Sequence, residues 1–191
     1  MKNPHIHPSA EVSPDAVIGE GTRIWHQSHI REGVRIGRNC VISKDVYIDK
    51  GVVIGDGVKI QNGVSIYQGV TIESDVFVGP HAAFTNDLRP RSFNKDWAVV
   101  PTLLRRGCSV GANATVMCGV TLGGYSMLAA GAVLTVDSLP YGLYLGNPAR
   151  LKGFVSRSGY EMEVVEAEAD ALVFRCLKTQ ERLRLRFEVL E

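Results

Sequence analysis

Residues 55–72 read GDGVKIQNGVSIYQGVTI. An Ile closes each block of six, at 60, 66 and 72, with a Val two places before it and a Gly one place before the Val. A period of six matches neither the alternation of a strand nor the 3.6-residue turn of a helix. Within each block, however, the Val and the Ile are two apart, so in an extended segment both point the same way. The Gly ahead of them suits a sharp corner at positive φ. Each hexad therefore reads as a short strand with two inward side chains, closed by a corner, and the chain coils instead of folding back.

The beat runs outward in both directions. Every multiple of six from Ile6 through Val12, Ile18 and Ile24 to Val78 is aliphatic. The column two places earlier, from Ala10 to Ala82, is small or β-branched, and the corner column holds Asp15, Gly21, Gly33, Asn39, Asp45, Gly51 and Asp75. These corner types tolerate positive φ. Arg23, His29, Arg35 and Lys59 fall on outward positions. The register breaks after Phe84 and returns from Leu104 to Leu134, with Tyr125 the one departure in the corner column. Residues 85–103, TNDLRPRSFNKDWAVVPTL, carry no hexad, and a loop of that length in a compact domain is usually functional. Hexapeptide periodicity marks a parallel β-helix, an all-β fold in which equivalent positions stack at roughly 4.8 Å.

Composition excludes several function classes. The 191 residues carry 21 basic and 20 acidic side chains, a formal net charge of +1. No nucleic-acid or membrane partner is expected from that balance. The start, MKNPHIHPSAEV, enters the repeat directly and no apolar run reaches membrane-spanning length, so a cytoplasmic location is expected. Cys40 and Cys108 take inward small positions, Cys118 a strand and Cys176 the tail, with no C-x-x-C spacing; they read as reduced thiols.

The runs I-G-E-G-T at 18–22, V-G-A-N-A at 110–114 and G-N-P-A-R at 146–150 resemble the hexapeptide-repeat acyltransferases. That resemblance implies a left-handed parallel β-helix of triangular section, three hexads to a coil, usually a homotrimer. About twenty hexads then make six to seven coils, on the order of 30 Å tall. The β-helix is expected over 1–152 with the loop 85–103 inserted, and a small C-terminal β tail of hairpins over 153–191, where Arg182 to Phe187 alternate.

A sharper resemblance covers 61–92, with F-T-N-D-x-x-P-R at 84–91 as its core. It is similar to acetyltransferases that use acetyl-CoA to N-acetylate the 3-amino group of a dTDP- or UDP-linked sugar in surface-polysaccharide pathways. The chemistry needs an uncharged amine aimed at a thioester carbon, a stabilised oxyanion and an exit for the amine proton. On this likeness Asn86 accepts a hydrogen bond from the amine, and Asp87 does the same or holds a turn; an Asx turn is the other reading of both. His81, at a corner near the loop, is the candidate general base or else a surface turn residue. His26 and His29 read as trimer contacts or solvated side chains. Gln61, Asn62, Tyr67, Gln68 and Phe84 are assigned to the sugar nucleotide, Tyr67 stacking on its base or packing in a trimer. Arg89 and Arg91 offer planar donor forks to a pyrophosphate or carboxylate, or stay solvated.

For acetyl-CoA the resemblance implies a groove between neighbouring β-helices along the later coils. Gly111, Gly131 and Ala132 leave room for the pantetheine arm, each having also a corner or packing explanation. On the same resemblance Arg150 and Lys152 offer charge to the 3′-phosphate, Lys152 having also the reading of a solvated C-terminal rim. Related tails bind zinc through a C-x-C and a C-x-x-C pair, but here the places read Ser156, Ser158, Cys176 and Thr179, so no metal is expected. Two other classes share the fold. A γ-type carbonic anhydrase needs histidine ligands in the later coils, and no His follows His81. A non-catalytic scaffold explains the repeat but not the F-T-N-D loop. Within the enzymes, O-acetylation of a sugar hydroxyl is the nearest competitor and requires a base more strongly.

Overall fold

The computed structural model describes residues 3–186; the alternation at Phe187 lies outside the described residues. The hexads form two- or three-residue strands, beginning His5–Ile6, Glu11–Val12 and Val17–Ile18, that distribute in rotation over three parallel faces. Face I is a nine-stranded sheet, face II seven-stranded and face III six-stranded. Equivalent residues stack coil on coil. On face I, Ile6, Ile24, Ile42, Ile60, Val78, Val110, Leu128 and Tyr144 form one inner ladder. The coils are joined along the axis by backbone bonds such as Lys59 N–H to Val76 C=O at 2.9 Å and Gly79 N–H to Val110 C=O at 2.8 Å.

Burial follows the hexad. Ile24, Ile42, Ile60, Val58 and Val64 are fully buried, while Arg23, Arg35 and Lys59 between them are exposed. The corner residues adopt positive φ as expected at Gly21, Asn39, Asp45, Gly57 and Asp75. Asp15 is not among these residues; its carboxylate accepts the Gly33 N–H of the next coil at 3.0 Å. Tyr125, the odd residue of the column, nevertheless takes φ 57°. Its ring stacks on Tyr141, itself at φ 61°, with centroids 5.2 Å apart, and Arg157 lies 5.4 Å from its centroid. Packing thus holds a conformation that bulky residues seldom adopt.

The coil count exceeds the expected six to seven. The stack has about 8 turns, because Gly142–Leu145, which lacks the hexad beat, pairs in parallel with Met127–Leu128 and adds a rung to face I. Arg150–Phe154 then folds back antiparallel on it. The G-N-P-A-R turn between them is stitched to face II: Val133 N–H donates to Gly146 C=O at 2.9 Å and Ala149 N–H to Val133 C=O at 2.7 Å. One end of the coil is thereby closed, whereas at the other Ile6 is 40% exposed.

The inserted loop is also shorter than 85–103. Thr102–Leu104 is already strand, with Val70 opposite Thr102 and Ile72 opposite Leu104. Thr102 fills the inward small position, buried among aliphatics, a place that the hexad counted back from Leu104 assigns to it. Beyond the cap, Glu163–Ala167, Ala171–Arg175 and Arg182–Arg186 form a three-stranded antiparallel sheet over Met162, Phe174 and Cys176.

Candidate active site

The repeat decides where each candidate side chain can stand. Loop 85–101 leaves the β-helix at the corner between faces II and III, above the corner at 67–69. Its stems are fixed on both sides. Thr85 Oγ1 accepts the Cys118 N–H at 2.9 Å, Thr102 N–H donates to Gly69 C=O at 3.1 Å, and Gly119 N–H donates to Pro101 C=O at 3.2 Å. A Cβ on Gly69, at φ 95°, would lie 2.3 Å from Val99 Cγ1. That corner is therefore glycine for the close approach of the loop as well as for its conformation.

Within the loop the two adjacent candidates separate. Asp87 Oδ1 accepts the Arg89 N–H at 2.7 Å, an Asx turn that starts the loop. The Asn86 side chain, half-buried beside the pinned Thr85, makes no hydrogen bond to any described residue. A part-buried amide left with open donor and acceptor capacity is equipped to take a ligand. Arg89 and Arg91 are exposed, Arg91 donating to Pro90 C=O at 2.8 Å. The loop encloses a hollow of about 260 Å³ whose walls include Asp87, Arg89, Asn94, Asp96 and Trp97. The last three were not picked out from the sequence, although the N-x-D spacing is a signal: Asn94 Oδ1 accepts the Asp96 N–H at 3.0 Å.

The remaining substrate candidates do not converge in one chain. Tyr67 and Gln68 sit at the loop corner, beneath it; the Gln68 N–H is held by Asp49 at 3.2 Å and the Tyr67 ring lies 6.1 Å from that of Tyr47. Gln61, Asn62 and His81 occupy the corner between faces I and II, where the His81 N–H donates to Asn62 C=O at 3.0 Å. His81 and Asn86 thus stand at opposite edges of face II, with the Ala83–Phe84 strand between them. His81 adopts φ 57° and its imidazole covers Gly63 of the coil below, where a Cβ would meet Nδ1 at 2.5 Å. Phe84, assigned above to substrate, is instead a core side chain, 4% exposed and paired with Val116, because it holds an inward place in the ladder.

The cofactor candidates divide as well. Ala132 points into the core, and Gly111 is small because the next coil requires it: a Cβ there would lie 2.4 Å from Ala130 N. Packing within the coil accounts for the size of both. Gly131, at φ 69°, faces open space with nothing within 4 Å. Arg150 and Lys152 lie two apart on the exposed capping strand, Lys152 at the irregularity where the strand slips register against Leu143–Tyr144, and Arg150 donates to Ala149 C=O at 3.2 Å. His26 is stacked on His7 at 3.6 Å between centroids, and His29 meets Tyr47 edge-on at 5.6 Å.

In the tail, Ser156, Ser158, Cys176 and Thr179 lie in two turns, 156–160 and 176–181. Tyr160 N–H donates to Ser156 Oγ at 3.2 Å, and Thr179 N–H to Cys176 Sγ at 3.4 Å. Hydrogen bonding from Thr179 holds the Cys176 thiol below its ordinary pKa. Among the described residues no three His, Cys, Asp or Glu side chains are grouped to hold a metal.

The profile of the bacterial transferase hexapeptide (six repeats) matches residues 15–50 and 51–86, and that of the hexapeptide repeat of succinyl-transferase matches 33–68 and 106–136. The chain is also 45% identical over 170 residues to dTDP-3-amino-3,6-dideoxy-alpha-D-galactopyranose 3-N-acetyltransferase of Aneurinibacillus thermoaerophilus, covering 86% of this chain and 85% of the relative. The chain belongs to the hexapeptide-repeat transferase family. Two solved structures share its fold. The acetyltransferase domain of PglB from Neisseria gonorrhoeae, in complex with acetyl coenzyme A, is 22% identical with a TM-score of 0.55, covering 78% of this chain and 57% of that one. The hexapeptide-repeat acetyltransferase VCA0836 of Vibrio cholerae, also with acetyl coenzyme A, is 25% identical with a TM-score of 0.58, covering 65% and 72%.

Proposed function

We propose that this chain transfers the acetyl group of acetyl-CoA to the 3-amino group of a dTDP-linked amino sugar. The observation that carries the reading is the Asn86 amide, without a hydrogen-bond partner among the described residues, held beside a pinned Thr85 in a loop whose next residue is committed to its own turn. The 45% identity to an enzyme of that name supplies the substrate class.

In this reading Asn86 Oδ1 accepts an N–H of the neutral amine and aims its lone pair at the thioester carbon. The C–N bond forms, the thioester C–S bond breaks, and the amine proton leaves to a base or to the departing thiolate. Arg89 and Arg91 take the pyrophosphate, while Gly131, Arg150 and Lys152 take the acetyl-CoA arm and its 3′-phosphate. The assembly is a homotrimer. The separation of His81 from Asn86 supports a site completed between subunits, the loop of one chain meeting the face I/II corner of the next. Placement in the cytoplasm follows from the supply of acetyl-CoA and sugar nucleotides there.

The test is thiol release from acetyl-CoA against dTDP- and UDP-linked 3-amino, 4-amino and unaminated sugars. Turnover with a dTDP-linked 3-amino sugar is expected. Turnover only with an unaminated sugar would convert the assignment to O-acetylation, and silence across the panel would return the fold to a scaffold role.

A further inference from the structure

The tail sheet has two outer strands of opposite character. Glu163–Ala167 is exposed throughout, with Val164 52% and Val165 46% accessible. Arg182–Arg186 alternates Arg and Leu. Both lie at the edges of the sheet, so each presents backbone N–H and C=O groups with no strand beside them among the described residues. Such edges are templates for another strand.

Their two surfaces match. Glu163 lies opposite Arg175 and Glu166 opposite Val173, which in turn faces Arg184; the irregularity between Val164 and Glu166 brings both glutamates to one side of the sheet. Arg182, Arg184 and Arg186 stand on that same side. On the other side Val164 is aligned with Phe174, and Phe174 with Leu183. If the basic edge of one sheet met the acidic edge of another, arginines would neighbour glutamates on one surface and leucines would cover valine on the other. Arg184 is already engaged by Glu168 and Asp170, and Arg186 approaches Asp170 at 3.9 Å, whereas Arg182 has no carboxylate partner among the described residues.

We infer that the tail is a self-association module, in which the acidic outer strand of one chain pairs with the basic outer strand of a second copy. The contact is heterologous, since two different edges meet. It therefore propagates from chain to chain and closes when the rotation allows a ring. Opposite charges placed across neighbouring strands favour this pairing over like-with-like contact.

Engineered disulfides test it cleanly. Glu166→Cys is combined in turn with Arg182→Cys, Arg184→Cys and Arg186→Cys, three registers. Within one chain the two outer strands are two strand spacings apart, about 9.6 Å, beyond the Cα separation a disulfide spans. Any link is therefore between chains. The native thiols are all free and buried. Oxidation of at least one pair is expected to give a ladder of covalent multimers, with neither single-cysteine chain doing so. Independently, amide exchange over 163–167 in the otherwise native chain should slow with concentration. Glu163→Arg with Glu166→Arg should abolish that protection, and adding Arg182→Glu with Arg186→Glu should restore it. Charge-sensitive protection without cross-links supports pairing in another register. Fast exchange at every concentration, with no multimer from any pair, overturns the inference.

Discussion

Two corners one coil apart leave the same face and enter the same face, yet they differ in everything between. The lower one needs only residues 67–69, with Gly69 at φ 95° making the turn. The upper one uses 85–101 and still returns in register, Thr102 landing opposite Val70. The β-helix therefore does not need the longer path, because the ladder closes equally well without it. What the longer path adds is an amide with no partner among the described residues, two exposed arginines and a hollow. Structure resides in the repeat, and its interruption carries the groups we propose for the chemistry.

The comparison can be broken most forcefully by making the two corners alike. Replacing residues 86–101 by the Gln-Gly pair of 68–69 is expected to leave the thermal midpoint within a few degrees, since loop length affects stability only weakly. Turnover is expected to fall by about three orders of magnitude or more with the positioning groups gone. Retained turnover would show that the loop is not the site. Conversely, Ile66→Ala, in the ladder beneath the loop, should cost about 2–5 kcal/mol in denaturant unfolding, because Ile66 is fully buried. A loss below 1 kcal/mol would show that the core near the loop is looser than its burial implies.

Within the loop, Asn86→Ala is expected to reduce kcat by about a hundredfold, equivalent to roughly 2.7 kcal/mol of barrier. Turnover within threefold of the parent would remove the alignment role. His81 sharpens the comparison between the two edges of face II. If it acts as base across a subunit boundary, His81→Ala lowers kcat/KM by about tenfold and alters the pH-rate profile. Mixed assemblies of His81→Ala and Asn86→Ala chains should then exceed the activity of either variant alone. A profile unchanged from the parent would leave His81 as a corner residue over Gly63.

The contrast also explains what could be read without coordinates. The coils were legible because every hexad repeats the same demand: two inward apolar side chains and a corner that tolerates positive φ. The chain obeys it even at Tyr125. The eighth rung was hidden because Gly142–Leu145 abandons the beat and is recruited by pairing with Met127–Leu128 and burial of Tyr144. The site was harder, since nearness in sequence is not nearness in a three-sided coil. Gln61 and Tyr67 are six residues apart and stand at different corners, and Phe84, inside a functional motif, still belongs to the ladder. Small residues misled for a related reason. Gly111 and Ala132 are small where the coil itself packs closely, whereas Gly131 faces open space.

The smallest expected effect discriminates most finely, because Asn86 and Asp87 are neighbours of similar shape. Asp87 spends one carboxylate oxygen on the Arg89 N–H at 2.7 Å, so its removal loosens a turn without removing a group from the reaction. Asp87→Asn keeps an acceptor oxygen for that turn, whereas Asp87→Ala does not. The asparagine variant should therefore match the parent in kcat, and the alanine variant should lose no more than about threefold, below 1 kcal/mol. A larger loss in the asparagine variant than in the alanine variant would fit no turn role. A loss comparable to that of Asn86→Ala in both would mean that the carboxylate charge itself meets the amine, and that the two residues act as a pair.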